Sequence, residues 1–448
     1  WLKILKIRGS YGTVGNDQIG GSRFLYISEL GPGGGMGSIF PNGYYFGKTN
    51  NGTSSFGGYN EVRVGNEFVT WEKAKKANIG FDMSMLPGNG LNFTFDYFYE
   101  MRDNSLTEAG SVPAYIGVET IAPRNSGKVK NQGFEFEVRY NKQFNRDFGM
   151  SATLNGSTLK NKVIQMGEPL YNTCSGNGGG TLDGSNVQAI GAAAGFHWGD
   201  HSITKEGEAV GSYYGWRVDH VYTSQAEIDA DNAAAQAKGF DYYQHKETRV
   251  GDIRFKDLDG DGHVADDSSD MMILGNGFPK FNYGLNLTFN YKNWDFNAYF
   301  NGVLGQKIFS YSAMKLSNIF TSDDQSTPNV LRSSYDAMYG HSSNPTLPAL
   351  SWQDKNYNMR ASDAWVKCGD FFRLSNLQVG YTFRQPWLEN IKVSTARVYV
   401  AVQNVFVLSP YNKYGDPEIG QGYVIYTGLD TGRYPMPRTY NFGINVTF

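Results

Sequence analysis

From Phe281 the chain alternates without a break: Phe281, Tyr283, Leu285, Leu287, Phe289 and Tyr291 are apolar, and Asn282, Gly284, Asn286, Thr288, Asn290 and Lys292 stand between them. A period of two puts each set on its own face of a strand. Lys292-Asn293 reads as a tight turn, after which Trp294, Phe296, Ala298 and Phe300 resume the alternation against Asp295, Asn297 and Tyr299, so a hairpin is the simplest account. The same pattern recurs along the chain. Phe93, Phe95, Tyr97 and Tyr99 follow the turn Pro87-Gly88-Asn89-Gly90, and Phe134, Phe136, Val138 and Tyr140 alternate with Glu135, Glu137 and Arg139. Val398, Val400 and Val402 form another set, and the chain closes on Tyr440, Phe442, Ile444, Val446 and Phe448. About ten strands follow, near 1–14, 74–86, 91–104, 128–143, 148–161, 280–291, 294–306, 366–384, 392–406 and 437–448. The count rises by two if 55–70 or 208–219 form a further pair.

The connections have two lengths. Short turns near 87–90, 144–147, 292–293 and 385–391 interleave with long stretches near 15–70, 105–127, 162–278, 304–365 and 407–436. Segregation of loop length by side is the habit of an antiparallel barrel in an outer membrane, whereas a soluble β-sandwich has no reason to show it. No apolar run of about 18 residues occurs, which excludes helical spans and leaves barrel strands untouched. Aromatic residues make up 15 % of the chain, suiting a lipid-facing band flanked by aromatic girdles over a polar lumen. A net charge of −3 with no Lys/Arg block gives no field for nucleic acid. Cys174 and Cys368 carry no metal spacing and read as free thiols.

The sharpest chemical motif is Asp257-Leu258-Asp259-Gly260-Asp261-Gly262-His263-Val264. Carboxylates at alternate positions followed by glycine form the first half of an EF-hand-like calcium loop. Asp257, Asp259 and Asp261 would supply side-chain oxygens and His263 its carbonyl, within an acidic loop spanning 257–268. The twelfth position is Ser268, so Asp266, Asp267 or Asp270 would close the site; the plain alternative is a turn without an ion. A structural calcium is thus expected, with no catalytic cofactor. One helix is expected, Ser224 to Lys238, capped by Ser224 with Glu227 three residues on, as a surface feature of the longest loop. His197 and His201 have a helical spacing but a glycine-rich setting, and neither a nucleophile elbow nor a phosphate loop occurs, so no enzyme is expected.

Several stretches together resemble the SusC/RagA-like TonB-dependent transporters of the Bacteroidota outer membrane. They are Leu5 to Asn16, Trp71-Glu72-Lys73 with Asn78 to Asp82, Gly211 to Trp216, Gly251 to Gly262, Gly275 to Phe281, Gln403-Asn404-Val405-Phe406, and Tyr434 to Tyr440. The resemblance implies an all-β fold, antiparallel transmembrane strands from the C-terminal part of a barrel of about 22 strands. It also implies that residues 1–448 lack the plug domain and the N-terminal strands, which leaves open edges near Lys6–Thr13 and Tyr440–Phe448. The implied function is TonB-dependent import of a bulky nutrient, an oligosaccharide or peptide, with a SusD-like surface lipoprotein as lid. TonB with ExbB and ExbD would act through the missing region, and the remaining barrel, the plug and outer-membrane lipid complete the set of partners. A β-rich surface adhesin without transport is the alternative. If Phe448 ends at the periplasm, counting strands backwards puts every long connection outside. Tyr213, Tyr214, Trp216, Tyr242 and Tyr243 in the long extracellular loop 162–278 are then candidate anchors for lid or ligand.

Overall fold

The computed structural model describes residues 2–16, 24–32, 44–45, 55–56, 59–85, 90–107, 120–166, 170–172, 201–265, 268–317, 329–340, 345–351, 354–384, 388, 392–418, 427–432 and 434–448. Ten strands follow one another in a single antiparallel path. They are β1 (Leu2–Asn16), β2 (Glu72–Met85), β3 (Leu91–Thr107), β4 (Arg124–Gln143), β5 (Phe148–Ser157), β6 (Phe281–Tyr291), β7 (Trp294–Leu304), β8 (Phe371–Phe383), β9 (Thr395–Leu408) and β10 (Thr439–Thr447). An eleventh strand, Lys160–Gln165, pairs with the far end of β4, so the first residues of the expected loop 162–278 still belong to the sheet.

Register turns this path into a wall with two faces. Ile7, Phe81, Phe95, Phe136, Gly156, Tyr283, Gly302, Phe372 and Leu408 are successive cross-strand partners over nine strands. The next row on the other face runs Arg8, Gly80, Asp96, Glu135, Ser157, Asn282, Val303 and Phe371. Period-two patterning kept in register over many strands yields one apolar and one polar surface. The apolar side chains stay open to the surroundings: Ile7 is 74 % exposed, Ile79 60 % and Phe442 78 %. That is the arrangement of a sheet whose apolar face meets lipid and whose polar face lines a lumen. The four short turns lie at one end of the wall and the five long connections at the other, as strict up-and-down pairing requires. The outer flanks of β1 and β10 have no strand partner among the described residues.

Three long connections fold together at the second end into a lobe. Leu170–Asn172, Ser202–Thr204, Ser212–Trp216 and Met271–Gly275 form a four-stranded sheet, and Val218–Val221 pairs with Ile253–Phe255. Lys307–Ser310 joins Val366–Cys368 and, in parallel, Leu429–Asp430, which brings chain from the β7–β8 and β9–β10 connections into the same body. The core combines Tyr213, Trp216, Phe255, Phe309, Met359, Trp365 and Leu429. Helix α1 (Gln225–Ala237) lies where the sequence puts it, but Ile228 and Ala235 are buried, so it packs onto the lobe and is more than a surface ornament. Ser224 makes no side-chain cap bond, and Glu227 Oε2 instead accepts from the Thr223 N–H at 3.1 Å.

Two boundaries differ from the periodicity. The expected strand 366–384 is split, because Asp370 Oδ1 turns to accept from Gly305 N–H and Gln306 N–H at 2.6 and 3.1 Å and Val366–Cys368 leaves for the lobe. Neither 55–70 nor 208–219 adds a pair to the wall: Tyr59–Val64 joins a small sheet with Glu29–Pro32 and Thr120–Ile121, and Ser212–Trp216 belongs to the lobe. Cys368 is a free, half-buried thiol; Cys174 and His197 lie outside the described residues.

Candidate functional site

On the polar face the ionised side chains pair across strands. Arg8 reaches Asp82 at 3.0 Å and Asp96, two strands away, at 2.8 Å. It passes over Gly80, where a Cβ would sit 2.2 Å from Asp96 Oδ1, so only glycine leaves room for the bridge. The arrangement repeats at the other flank: Arg397 binds Asp295 through two hydrogen bonds of 2.9 and 2.6 Å across Gly380, where a Cβ would meet Asp295 Oδ1 at 2.5 Å. Arg373, only 3 % exposed, holds Asp416 at 2.5 Å and Glu418 at 3.3 Å and so ties the β9–β10 connection to the wall. Asn404, in the left-handed region at φ 53°, sits at the β8–β9 register shift opposite this arginine and donates to Pro437 O at 2.9 Å. Its place explains the Gln403–Phe406 motif: the asparagine adopts a conformation costly for most residues and bonds the returning chain. None of these arginines stood out in the sequence, because one charge on a polar face looks like any other until the register shows its partner.

Against the wall, where Gln306 and Glu418 meet the strands, lies an open cavity of about 680 Å³. Thr94, Asp96, Glu135, Glu137, Asn155 and Asn301 from the strands, with Glu418 from the β9–β10 connection, contribute to its lining.

The lobe decides the fate of the aromatic candidates. Tyr213, Tyr214, Trp216 and Tyr243 are 1, 6, 7 and 7 % exposed, so these four are core residues and offer no anchor to a partner. Tyr213 OH lies within hydrogen-bonding distance of Lys307 O at 3.2 Å and Thr427 O at 2.9 Å, joining all three connections. Trp216 Nε1 donates to Ala265 O at 3.3 Å, and the Arg360 guanidinium lies 4.7 Å from its ring centre. Tyr243 OH donates to Phe255 O at 3.0 Å. The reason is physical: a connection of this length must bury apolar surface of its own, and its aromatics go inside. Tyr242 alone remains exposed, at 38 %.

Beneath these rings lies a buried polar network that periodicity gave no sign of. Asp354 accepts from Asn358 N–H at 2.8 Å and Met359 N–H at 2.7 Å, and Asn358 Nδ2 bridges it to Asp252 at 2.9 Å. Burial pushes the Asp354 carboxyl up to about 6 and pulls the buried His201 imidazole down to about 4.

The acidic loop folds around its own amides. Asp257 accepts from Gly260 N–H at 2.6 Å and Gly262 N–H at 2.7 Å, Asp259 from Asp261 N–H at 3.0 Å, and Asp261 from His263 N–H at 2.7 Å. Gly262 takes φ +95°, the turn foreseen for it. Carboxylate oxygens of Asp257, Asp259 and Asp270 lie within 4.8 Å of one another. Asp261 is not in that group, Asp270 takes the closing place, and Asp266 lies outside the described residues. The His263 ring stacks on Phe240 at 4.9 Å, with Nδ1 2.9 Å from Tyr242 O. Three converging hard oxygens, each with lone pairs to spare, fit calcium in kind.

A two-faced wall of up-and-down strands, apolar outside and polar within, defines the strand portion of an outer-membrane β-barrel. Residues 2–251 match the family described as TonB dependent receptor-like, beta-barrel, and the chain belongs to that family. Its members are outer-membrane receptors and transporters and form no enzyme family. TonB-dependent receptor P3 of Formosa agariphila is 28 % identical over 389 residues, 86 % of this chain and 35 % of that protein. TonB-dependent receptor SusC of Bacteroides thetaiotaomicron is 24 % identical over 455 residues, 100 % of this chain and 38 % of that protein. The solved RagAB peptide transporter has the same fold over the whole chain, with a TM-score of 0.68 at 18 % identity, and the match covers 41 % of that structure's chain. The chain thus spans 35–41 % of the length of these relatives.

Proposed function

We propose that this chain is the C-terminal part of a barrel that imports a bulky nutrient, an oligosaccharide or peptide, across the outer membrane. The observation that carries the reading is the polar face, which lines an open cavity together with Glu418 of the β9–β10 connection. Transport requires such a wetted wall. Energy would come from TonB with ExbB and ExbD, through the part of the relatives' length this chain does not span. A SusD-like lipoprotein would cover the lobe, with Tyr242 as the remaining aromatic contact of the original set. Labelling of intact cells with a membrane-impermeant thiol reagent tests the sides: Arg332→Cys is expected to react and Asn293→Cys to be protected. The reverse result overturns the topology and the lid contact together. Energised uptake that disappears on removal of TonB separates the importer from the adhesin.

The acidic loop is proposed to hold one structural calcium on Asp257, Asp259 and Asp270, fastening the lobe near α1. Calorimetric titration of the receptor with calcium chloride is expected to show a single site that Asp259→Asn weakens. No heat of binding, together with unchanged proteolysis of the lobe in chelator, overturns it.

A further inference from the structure

Eight carboxylates lie on the ten wall strands: Glu72, Asp82, Asp96, Glu100, Asp103, Glu135, Glu137 and Asp295. Seven are ion-paired. Arg102 serves Glu72 and Glu100, Lys76 also reaches Glu100, Lys75 holds Asp103, Arg8 holds Asp82 and Asp96, Arg139 holds Glu137, and Arg397 holds Asp295. Glu135 is the exception, with no ion pair or side-chain hydrogen bond among the described residues, and it lines the cavity. Its setting sharpens the point. Its direct cross-strand partners are Asp96 and Ser157, and Glu137 stands two residues along its own strand. Like charges opposite one another destabilise a sheet, and Glu135 is exposed on the polar face, open to a partner from the lumen. Asp96 is relieved by Arg8 and Glu137 by Arg139; nothing described relieves Glu135. Glu418 adds a fourth carboxylate to the lining and is held by Arg373 at 3.3 Å, so Glu135 is the one carboxylate of the lining without a cationic partner among the described residues. Tyr299, 39 % exposed, offers an aromatic face on the same wall.

We propose that this cavity is a subsite for a cationic group, an ammonium or guanidinium carried by the cargo, which pairs with Glu135 while Asn155, Asn282 and Asn301 bond the polar atoms around it. The inference rests on the importer reading and deepens it. Cargo bearing amines is favoured, and polyanionic cargo such as uronate or sulfate chains is repelled. Both a basic peptide and an amino-sugar oligomer present this chemistry.

The test uses the complete transporter with its native partners in outer-membrane vesicles and in cells. The probes are tetralysine, tetraserine and tetraglutamate, with tetramers of glucosamine, N-acetylglucosamine and galacturonate. Cationic tetramers of one or both series are expected to bind more tightly than their acidic counterparts and to weaken with salt; the series that binds identifies the source. Glu135→Gln is expected to weaken that binding about tenfold, to reduce its salt dependence and to leave the neutral tetramers unchanged, with Glu135→Asp recovering part of the loss. Equal binding of cationic and acidic tetramers, or an unaltered Glu135→Gln protein, overturns the subsite. Energised uptake of neutral tetramers without charge discrimination leaves the importer standing while the subsite falls, and uptake of none of the six overturns both.

Discussion

The wall and the lobe are built from the same kinds of side chain and hide them from different things. On the wall, Phe442 and Ile444 stand 78 and 70 % exposed, while in the lobe Trp365 and Phe255 are fully buried. The wall turns most of its apolar side chains outward; the lobe has a core and a wetted exterior. Lipid replaces protein as the main partner of apolar surface in the first case, so backbone pairing, the polar-face bridges and cross-strand ring contacts such as Phe81–Phe95 and Phe300–Phe372 hold the strands in register. In the second, water drives burial as in any small soluble domain.

The largest test of this difference is to ask the wall to stand by itself. Expressed alone, residues 1–448 leave the outer flanks of β1 and β10 unpaired, and each unsatisfied backbone group in lipid costs several kcal/mol. The expected outcome is no heat-modifiable, membrane-inserted monomer on gels. A closed monomer would break the comparison at its root.

Truncation inside the lobe comes next. Trp365 is fully buried and its Nε1 donates to Arg360 O at 3.1 Å, so Trp365→Ala is expected to cost about 3–5 kcal/mol of lobe stability. Phe442→Ala, on the lipid side, is expected to change the stability of the detergent-solubilised protein far less. Limited proteolysis of the lobe and thermal unfolding of the whole protein separate the two.

The polar-face bridges give a smaller effect. Gly80→Val puts a branched side chain where Arg8 crosses to Asp96, and the overpacking is expected to cost about 1–3 kcal/mol. Asp96→Ala is expected to relieve part of that cost, since the carboxylate that a Cβ at position 80 would meet at 2.2 Å is gone; a double-mutant cycle reads the coupling.

The finest contrast is in pH. The folded Asp354 carboxyl sits at about 6, above the ~3.9 of an unfolded aspartate, so its contribution to stability is complete below about pH 4 and is lost as pH rises through 6. The folded His201 imidazole sits at about 4, below the ~6.5 of an unfolded histidine, so its contribution is present above about pH 6.5 and is lost as pH falls toward 4. The two slopes oppose each other. Relative to the parent, Asp354→Asn is expected to make the lobe more sensitive to acid, and His201→Gln less so. Melting curves followed by tryptophan fluorescence between about pH 4 and 7 check both signs.

How much of this was legible in the sequence follows the same division. All ten wall strands are where period two puts them, because each strand has one face in lipid and one in a polar lumen and must record both in its own residues. The segregation of short turns from long connections is likewise countable along the chain. The loop regions were not legible in this way. Glycine-, asparagine- and aromatic-rich stretches looked like display loops, and Tyr213, Tyr214, Trp216 and Tyr243 like anchors, yet they are core residues. Burial in the lobe depends on segments far apart in sequence: Tyr213 meets Lys307 and Thr427, and Asn358 meets Asp252. Gly262 marks a turn of the acidic loop already in the sequence, but which carboxylates converge is decided by Asp270 folding back onto Leu258 and Ala265. The sequence by itself determined the wall, since alternation is a local property that each strand carries alone. Only the tertiary structure decided the lobe, the bridge over Gly80 and the unpaired Glu135, since each is a relation between residues that the chain brings together after it has folded.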